Sequence, residues 1–250
     1  LNHKLAAGCM EDNLVIRANL AGKGVQAIGA MLQQTPMVLM TDLNGDIQTL
    51  YDLPGKRIGM HRDGIHLLQT ILTLHGIDPG GVEFTVGGWG LRDLINGRFH
   101  AVQGYTITEP AQLAQLGLTP HLIPVKHPKL HPYAQMMFAS TDMIVNHKDV
   151  LHRFITATFA GWRQAMMNLE ETAVLVAAVS KNQSDPNINR QILDAMRPIV
   201  TGNLTFEQLG YLDPKRWQSN LSTYHQFGLI DQRVAVEDVV YPHFVNNRTA

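Results

Sequence analysis

The chain has 250 residues, 45% of them apolar and 16% charged, and its 20 Lys and Arg nearly cancel 21 Asp and Glu. This composition gives core enough for one large α/β unit or two lobes and excludes a disordered polyelectrolyte. The formal net charge of -1 excludes a protein built to coat nucleic acid or an anionic membrane surface, since both need clustered positive charge. The most apolar run, Thr172 to Val179, falls far short of the ~20 residues of a membrane span, so no direct membrane insertion is expected. A single cysteine, Cys9, excludes an intramolecular disulfide framework and a Cys-rich metal cluster. The opening Leu1-Asn2-His3-Lys4 has neither a starting Met nor a basic-then-apolar signal pattern, which reads as a processed chain or a fragment.

Leu14, Val15 and Ala18 recur at helical spacing between Asp12 and Leu20, with Gly22 and Gly24 at the end. Two strand-length apolar segments follow, Val25 to Met31 and Pro36 to Thr41. Turn chemistry over Asp42 to Asp46 marks a first crossing between lobes. Arg57 to Met60 reads as a strand, Gly64 to Leu74 as a helix closed by Gly76, and Val82 to Val86 as a strand. Trp89 to Ile95 is then a helix closed by Gly97, and Phe99 to Gln103 a strand. Thr108 to Leu116 is a helix closed by Gly117, and His121 to Val125 a strand. Strand-helix repeats with glycine at the helix ends predict a parallel, doubly wound sheet covered on both faces.

Met136 to Ala139 reads as one more strand and the return crossing. Asn146 then caps a long helix lined by Leu151, Phe154, Ile155, Phe159, Trp162, Ala165, Met166 and Leu169. Helices follow around Glu170 to Val179, Ile188 to Met196 and Pro214 to Phe227, with Val236 to Val245 last. The expected architecture is two hinged lobes, residues 1–44 with 136–250 and residues 45–135, with a cleft between them.

Ligands of open α/β sheets bind at the carboxyl ends of the strands. The loop His61-Arg62-Asp63-Gly64 offers backbone N-H groups and a guanidinium to an anionic or polar ligand, and equally fits an ordinary helix start. Trp89, in Gly87-Gly88-Trp89-Gly90, suits stacking on a flat ligand or filling the lobe's core. Gln103-Gly104-Tyr105 leading to Glu109 places an amide, a phenol and a carboxylate near one rim, suited to a small polar ring, while Glu109 also fits a simple helix-start carboxylate. His127 and His131 lie in a Pro-rich segment without a joining carboxylate or thiol, so no metal is expected, and no cofactor. No nucleophile elbow, phosphate loop, dinucleotide fingerprint or zinc-protease motif is present, which favours binding over turnover.

Four phrases in order, Asp52-Leu-Pro-Gly-Lys-Arg-Ile-Gly59, Leu74-His-Gly-Ile-Asp-Pro79, Leu94-Ile-Asn-Gly-Arg-Phe-His-Ala101 and Gly104-Tyr-Thr-Ile-Thr-Glu-Pro110, together with Phe154 to Ala165 and Gly210-Tyr-Leu-Asp-Pro214, resemble the solute-binding proteins for thiamine-pyrimidine precursors, alkanesulfonates and nitrate. The resemblance covers nearly the whole chain and implies the type 2 periplasmic-binding-protein fold, with the first lobe shortened by an N-terminal strand-helix-strand unit. It implies that Gly8, Cys9, Met10, Gln34, the loop of Arg62, Asp63 and Gly64, Trp89, Tyr105 and Glu109 border the ligand. Tyr105 and Glu109 carry over most directly.

The expectation is therefore a non-enzymatic periplasmic or extracytoplasmic protein that delivers a small planar or anionic molecule to an ABC transporter permease. A ligand-sensing domain of a membrane kinase is the alternative, followed by a pyrimidine-forming enzyme of the same fold. That enzyme branch resembles this chain in fold but uses a cysteine-rich loop, and Cys9 stands alone.

Overall fold

A computed structural model describes residues 7–42, 45–87, 90–115, 117, 119–181 and 184–246. In chain order the elements are β1 (Ala7–Met10), α1 (Asp12–Leu20), β2 (Val25–Leu32), β3 (Met37–Thr41), β4 (Arg57–Met60), α2 (Arg62–Leu74), β5 (Glu83–Val86), α3 (Leu91–Ile95) and β6 (Ala101–Tyr105). They continue with α4 (Glu109–Gln115), β7 (His121–Pro124), β8 (Ala134–Ser140), α5 (Thr141–Asn146), α6 (Lys148–Met167), α7 (Leu169–Val179), α8 (Pro186–Thr201), α9 (Pro214–Gln226) and α10 (Val236–Val239). The chain divides into two units, one of residues 1–35, 132–222 and 232–250, the other of residues 36–131 and 223–231.

The second unit is built on a five-stranded sheet of order β5-β4-β6-β3-β7. Here the parallel expectation is corrected. β4 pairs in parallel with β5 and β6, but β3 lies antiparallel between β6 and β7, so the sheet is mixed. Every residue of β3 is buried, as an interior strand requires. The turn at Asp42 therefore lies inside this unit, and the chain enters it at Pro36. Val38, Met40, Phe99, Val102 and Leu113 form one core on the sheet, and Leu91, Leu94 and Leu122 pack against it. A Cβ on Gly104 would come within 2.6 Å of the Met40 side chain, so the glycine lets that side chain lie flat on β6. Helix α2 closes another face by burying Leu67, Leu68, Ile71, Leu72 and Leu74.

The first unit is organised around β8, which has β1 on one side and β2 on the other, both antiparallel. On α6 the buried residues are Leu151, Ile155, Phe159 and Met166. Phe154, expected on that face, is 51% exposed, because the buried stripe runs through its neighbour Ile155. The helix expected to begin at an Asn146 cap is broken in two. Asn146 ends α5, where its side-chain amide donates to Asp142 at 2.8 Å, and His147 stands at the start of α6.

A buried polar knot ties down the return of the chain into this unit. The Asp12 carboxylate accepts hydrogen bonds from the backbone N-H groups of Tyr133 at 2.9 Å and Asn13 at 2.7 Å. The Arg216 guanidinium lies 3.5 Å from the centre of the Tyr133 ring and donates to the Pro132 carbonyl at 2.7 Å. Trp217, fully buried, stacks on Tyr133 at 5.8 Å between centroids. Burial pushes the Asp12 carboxyl up to about 6 and the Tyr133 phenol up to about 12, and it lowers Arg216 from its ordinary value.

Candidate functional site

In the second unit, β4 and β6 are parallel neighbours, with Ile58 opposite Ala101 and Gly59 opposite Val102. Their carboxyl ends therefore fall together, and residues at and just beyond them form one hydrogen-bonded cluster. Gln103 is its centre. It is 2% exposed; its Oε1 accepts from the His61 N-H at 3.1 Å and its Nε2 donates to the Tyr105 hydroxyl at 3.1 Å. A buried amide engaged at both ends has one fixed orientation, so it sets the position of the phenol oxygen.

Gly64 makes that arrangement possible. A Cβ at this position would lie 2.2 Å from Gln103 Oε1, so the first turn of α2 approaches the amide only because residue 64 has no side chain. Asp63 turns inward on its own backbone, accepting from the Gly64 N-H at 2.9 Å. Arg62, at the start of α2, is exposed and forms no ion pair among the described residues.

Glu109 completes the cluster from the start of α4. Its Oε2 accepts from the Tyr105 N-H at 2.8 Å and from the Thr108 hydroxyl, while its Oε1 has no hydrogen-bond partner among the described residues. The carboxylate thus ends the β6 ladder at Tyr105, as a helix-start carboxylate does. The half-buried phenol and carboxylate beside a buried amide offer hydrogen bonds to a small ring.

Of the predicted site residues, Asp63, Gly64, Tyr105 and Glu109 are gathered around this pair of strand ends. Gln103, which the sequence already placed on this rim as its amide, is the residue that joins His61, Gly64 and Tyr105. Its signal is an amide within an apolar strand otherwise buried on both faces. Trp89 lies outside the described residues.

Gly8, Cys9, Met10 and Gln34 belong to the first unit. Gly8, Cys9 and Met10 are on β1, opposite Phe138, Met137 and Met136. A Cβ on Gly8 would meet the Phe138 ring at 2.9 Å. Cys9 is exposed as a residue, yet desolvation around its sulfur raises the thiol above its ordinary value, the opposite of an activated nucleophile. Gln34 has an exposed side chain, and its N-H donates to the Ile199 carbonyl at 3.2 Å. The adjacent Gln33 is buried and donates to the Tyr211 carbonyl at 2.9 Å.

His127 pairs not with His131 but with His75, ring centroids 4.6 Å apart. Among the described residues no group of three or more His, Cys, Asp or Glu side chains is placed to hold a metal ion. Among them, too, no helix is long and apolar enough to cross a membrane.

A family model described as NMT1/THI5 like matches residues 1–172. No curated protein matches the chain by sequence. Among solved structures, a ligand-binding component of an ABC-type import system from Staphylococcus aureus superposes with a TM-score of 0.68 at 15% identity, over 98% of this chain and 81% of that one. The periplasmic aliphatic sulphonate binding protein SsuA from Escherichia coli gives a TM-score of 0.66 at 16% identity, over 99% and 79% of the two chains. The desulfurization enzyme DszB gives 0.58 at 14% identity, over 99% and 86%. At these identities the likeness is one of fold, and the fold is that of the periplasmic binding proteins.

Proposed function

The chain belongs to the NMT1/THI5-like family, and on that premise we propose that it is a non-enzymatic, extracytoplasmic solute-binding protein that captures a small planar molecule and delivers it to an ABC importer. Similarity to the import-system component from Staphylococcus aureus and to SsuA supports the role in uptake. One observation carries the choice of ligand. Glu109 is held by Tyr105 and Thr108 through one carboxylate oxygen, and the other has no partner among the described residues. A ligand that meets this group has to bring a hydrogen-bond donor rather than a negative charge. An amino-substituted heteroaromatic of the pyrimidine-precursor class has that donor and a flat body; a sulfonate would face the carboxylate with like charge. The exposed Arg62 is the feature a sulfonate would use instead, so the two ligand classes predict different sensitive residues. Capture is proposed to work by hinge bending at 35–36 and 131–132, two of the four places where the chain passes from one unit to the other, the others being 222–223 and 231–232.

Isothermal titration with an aminopyrimidine, an alkanesulfonate and nitrate tests the reading. The aminopyrimidine is expected to bind, and Tyr105→Phe or Glu109→Gln to weaken it by about 1–3 kcal/mol, the cost of leaving a buried polar partner unmatched. Binding of the sulfonate alone, lost on Arg62→Ala and indifferent to Glu109→Gln, replaces the pyrimidine reading by the anionic one. Because DszB has the same fold, the bound compound is also recovered after prolonged incubation. An altered mass would overturn the non-enzymatic assignment.

A further inference from the structure

The first unit contains a cavity of about 290 Å³ lined by Lys148, Asp149, His152, Tyr241, His243 and Phe244. It is formed where the first turns of α6 meet the short turn of helix Pro242–Phe244 that follows α10. The walls are anchored to the fold: the Tyr241 N-H donates to the Ala27 carbonyl of β2 at 2.8 Å, and Phe244 is 1% exposed. The Tyr241 ring is therefore a fixed wall, packed at 5.1 Å between centroids on the buried Phe244.

The Lys148 ammonium stands 5.8 Å from the centre of the Tyr241 ring and has no carboxylate partner among the described residues. His243 lies edge-on to Tyr241 at 4.8 Å, and His152 lies 6.3 Å from Phe244. An ammonium and two imidazoles thus stand around the Tyr241 ring and the buried Phe244 packed on it, with Asp149 as the opposing charge on the lining. An unpaired ammonium over an aromatic wall favours an anionic group, and the rings favour a flat body beside it. The Asp149 carboxylate penalises a second negative charge on the same ligand.

We propose that this cavity is a second ligand site, independent of the Gln103–Tyr105–Glu109 cluster, that takes a planar organic monoanion such as an aromatic carboxylate. The Lys148 ammonium pairs with the carboxylate, Tyr241 faces the ring, and Asp149 excludes dianions.

The test uses benzoate as probe on the whole chain, read by the imidazole C-H signals of His152 and His243 in NMR spectra at constant pH. Both signals are expected to move and saturate with a Kd in the low millimolar range, about 1–10 mM. Lys148→Ala is expected to weaken benzoate about tenfold, and Lys148→Arg to restore most of the affinity. Benzamide, flat but neutral, binds more weakly than benzoate, and phthalate gains affinity only in Asp149→Asn. Glu109→Gln leaves benzoate binding unchanged, which separates this site from the strand-end cluster. Shifts that stay linear in benzoate, equal affinity in Lys148→Ala with the melting temperature unaltered, or equal binding of benzamide would each overturn the proposal.

Discussion

The α-carbon of Gly64 lies so close to the buried amide of Gln103 that a methyl group there would stand 2.2 Å from Oε1. Gly64→Ala is therefore expected to push the amide out of its bonds to the His61 N-H and the Tyr105 hydroxyl. The cost is about 1–3 kcal/mol of stability, the range for overpacking a tight site. Urea melts measure the stability, and calorimetry should show a parallel loss of affinity for the ligand of this cluster. Undiminished stability and affinity would mean that Gln103 does not fix the site.

Asp12 makes the stability of the fold depend on pH in an unusual direction. Burial holds its carboxyl at about 6 in the folded protein against 3.8 for the free group. The folded state therefore binds the proton more tightly, so this group's contribution is fully present below the free value and is lost as pH rises through about 6. The difference of roughly two units corresponds to ~3 kcal/mol. Asp12→Asn is expected to flatten the dependence of stability between pH 4 and pH 7, measured by chemical denaturation across that range. An unchanged slope would assign the dependence to other groups.

Phe159 occupies a slot made by two glycines. Cβ atoms on Gly29 and Gly210 would fall 2.8 and 2.6 Å from its ring, and Gly210 has a φ of +93° that side chains rarely adopt. Phe159→Ala should cost about 3–5 kcal/mol, as an emptied core aromatic does. Gly29→Ala should cost about 1–3 kcal/mol alone and markedly less in the Phe159→Ala background, because the clash is then gone. Additive losses would show that ring and glycine do not share the slot.

The thiol of Cys9 is raised by desolvation, so alkylation by iodoacetamide at pH 7.5 is expected to be slower than that of free cysteine. Faster reaction would reveal an activated thiol and reopen the enzymatic reading.

Much of this was legible in the chain alone. Periodicity located nearly every helix and strand, and glycines at 76, 97 and 117, all with positive φ, end their helices as expected. The strand-end loops led to Tyr105 and Glu109 because ligand loops of an α/β sheet follow from local order, strand then helix. Local patterning also determines which residues seek burial: Leu151, Ile155, Phe159 and Met166 are inside as their spacing requires.

What local patterning does not carry is the identity of a distant partner. A fully apolar strand such as Met37–Thr41 reads the same whichever neighbour it has and in either direction. Only the folded chain places it antiparallel between β6 and β7. The same holds for Gln103, whose role depends on His61, Gly64 and Tyr105 arriving around it. It holds also for Lys148 and Tyr241, brought together across 92 intervening residues. The elements and their buried faces can be read along the chain, because those depend on near neighbours. Strand order, the fixed amide and the cavity beside Tyr241 come from the folded chain, because each is a contact between segments that only packing brings together.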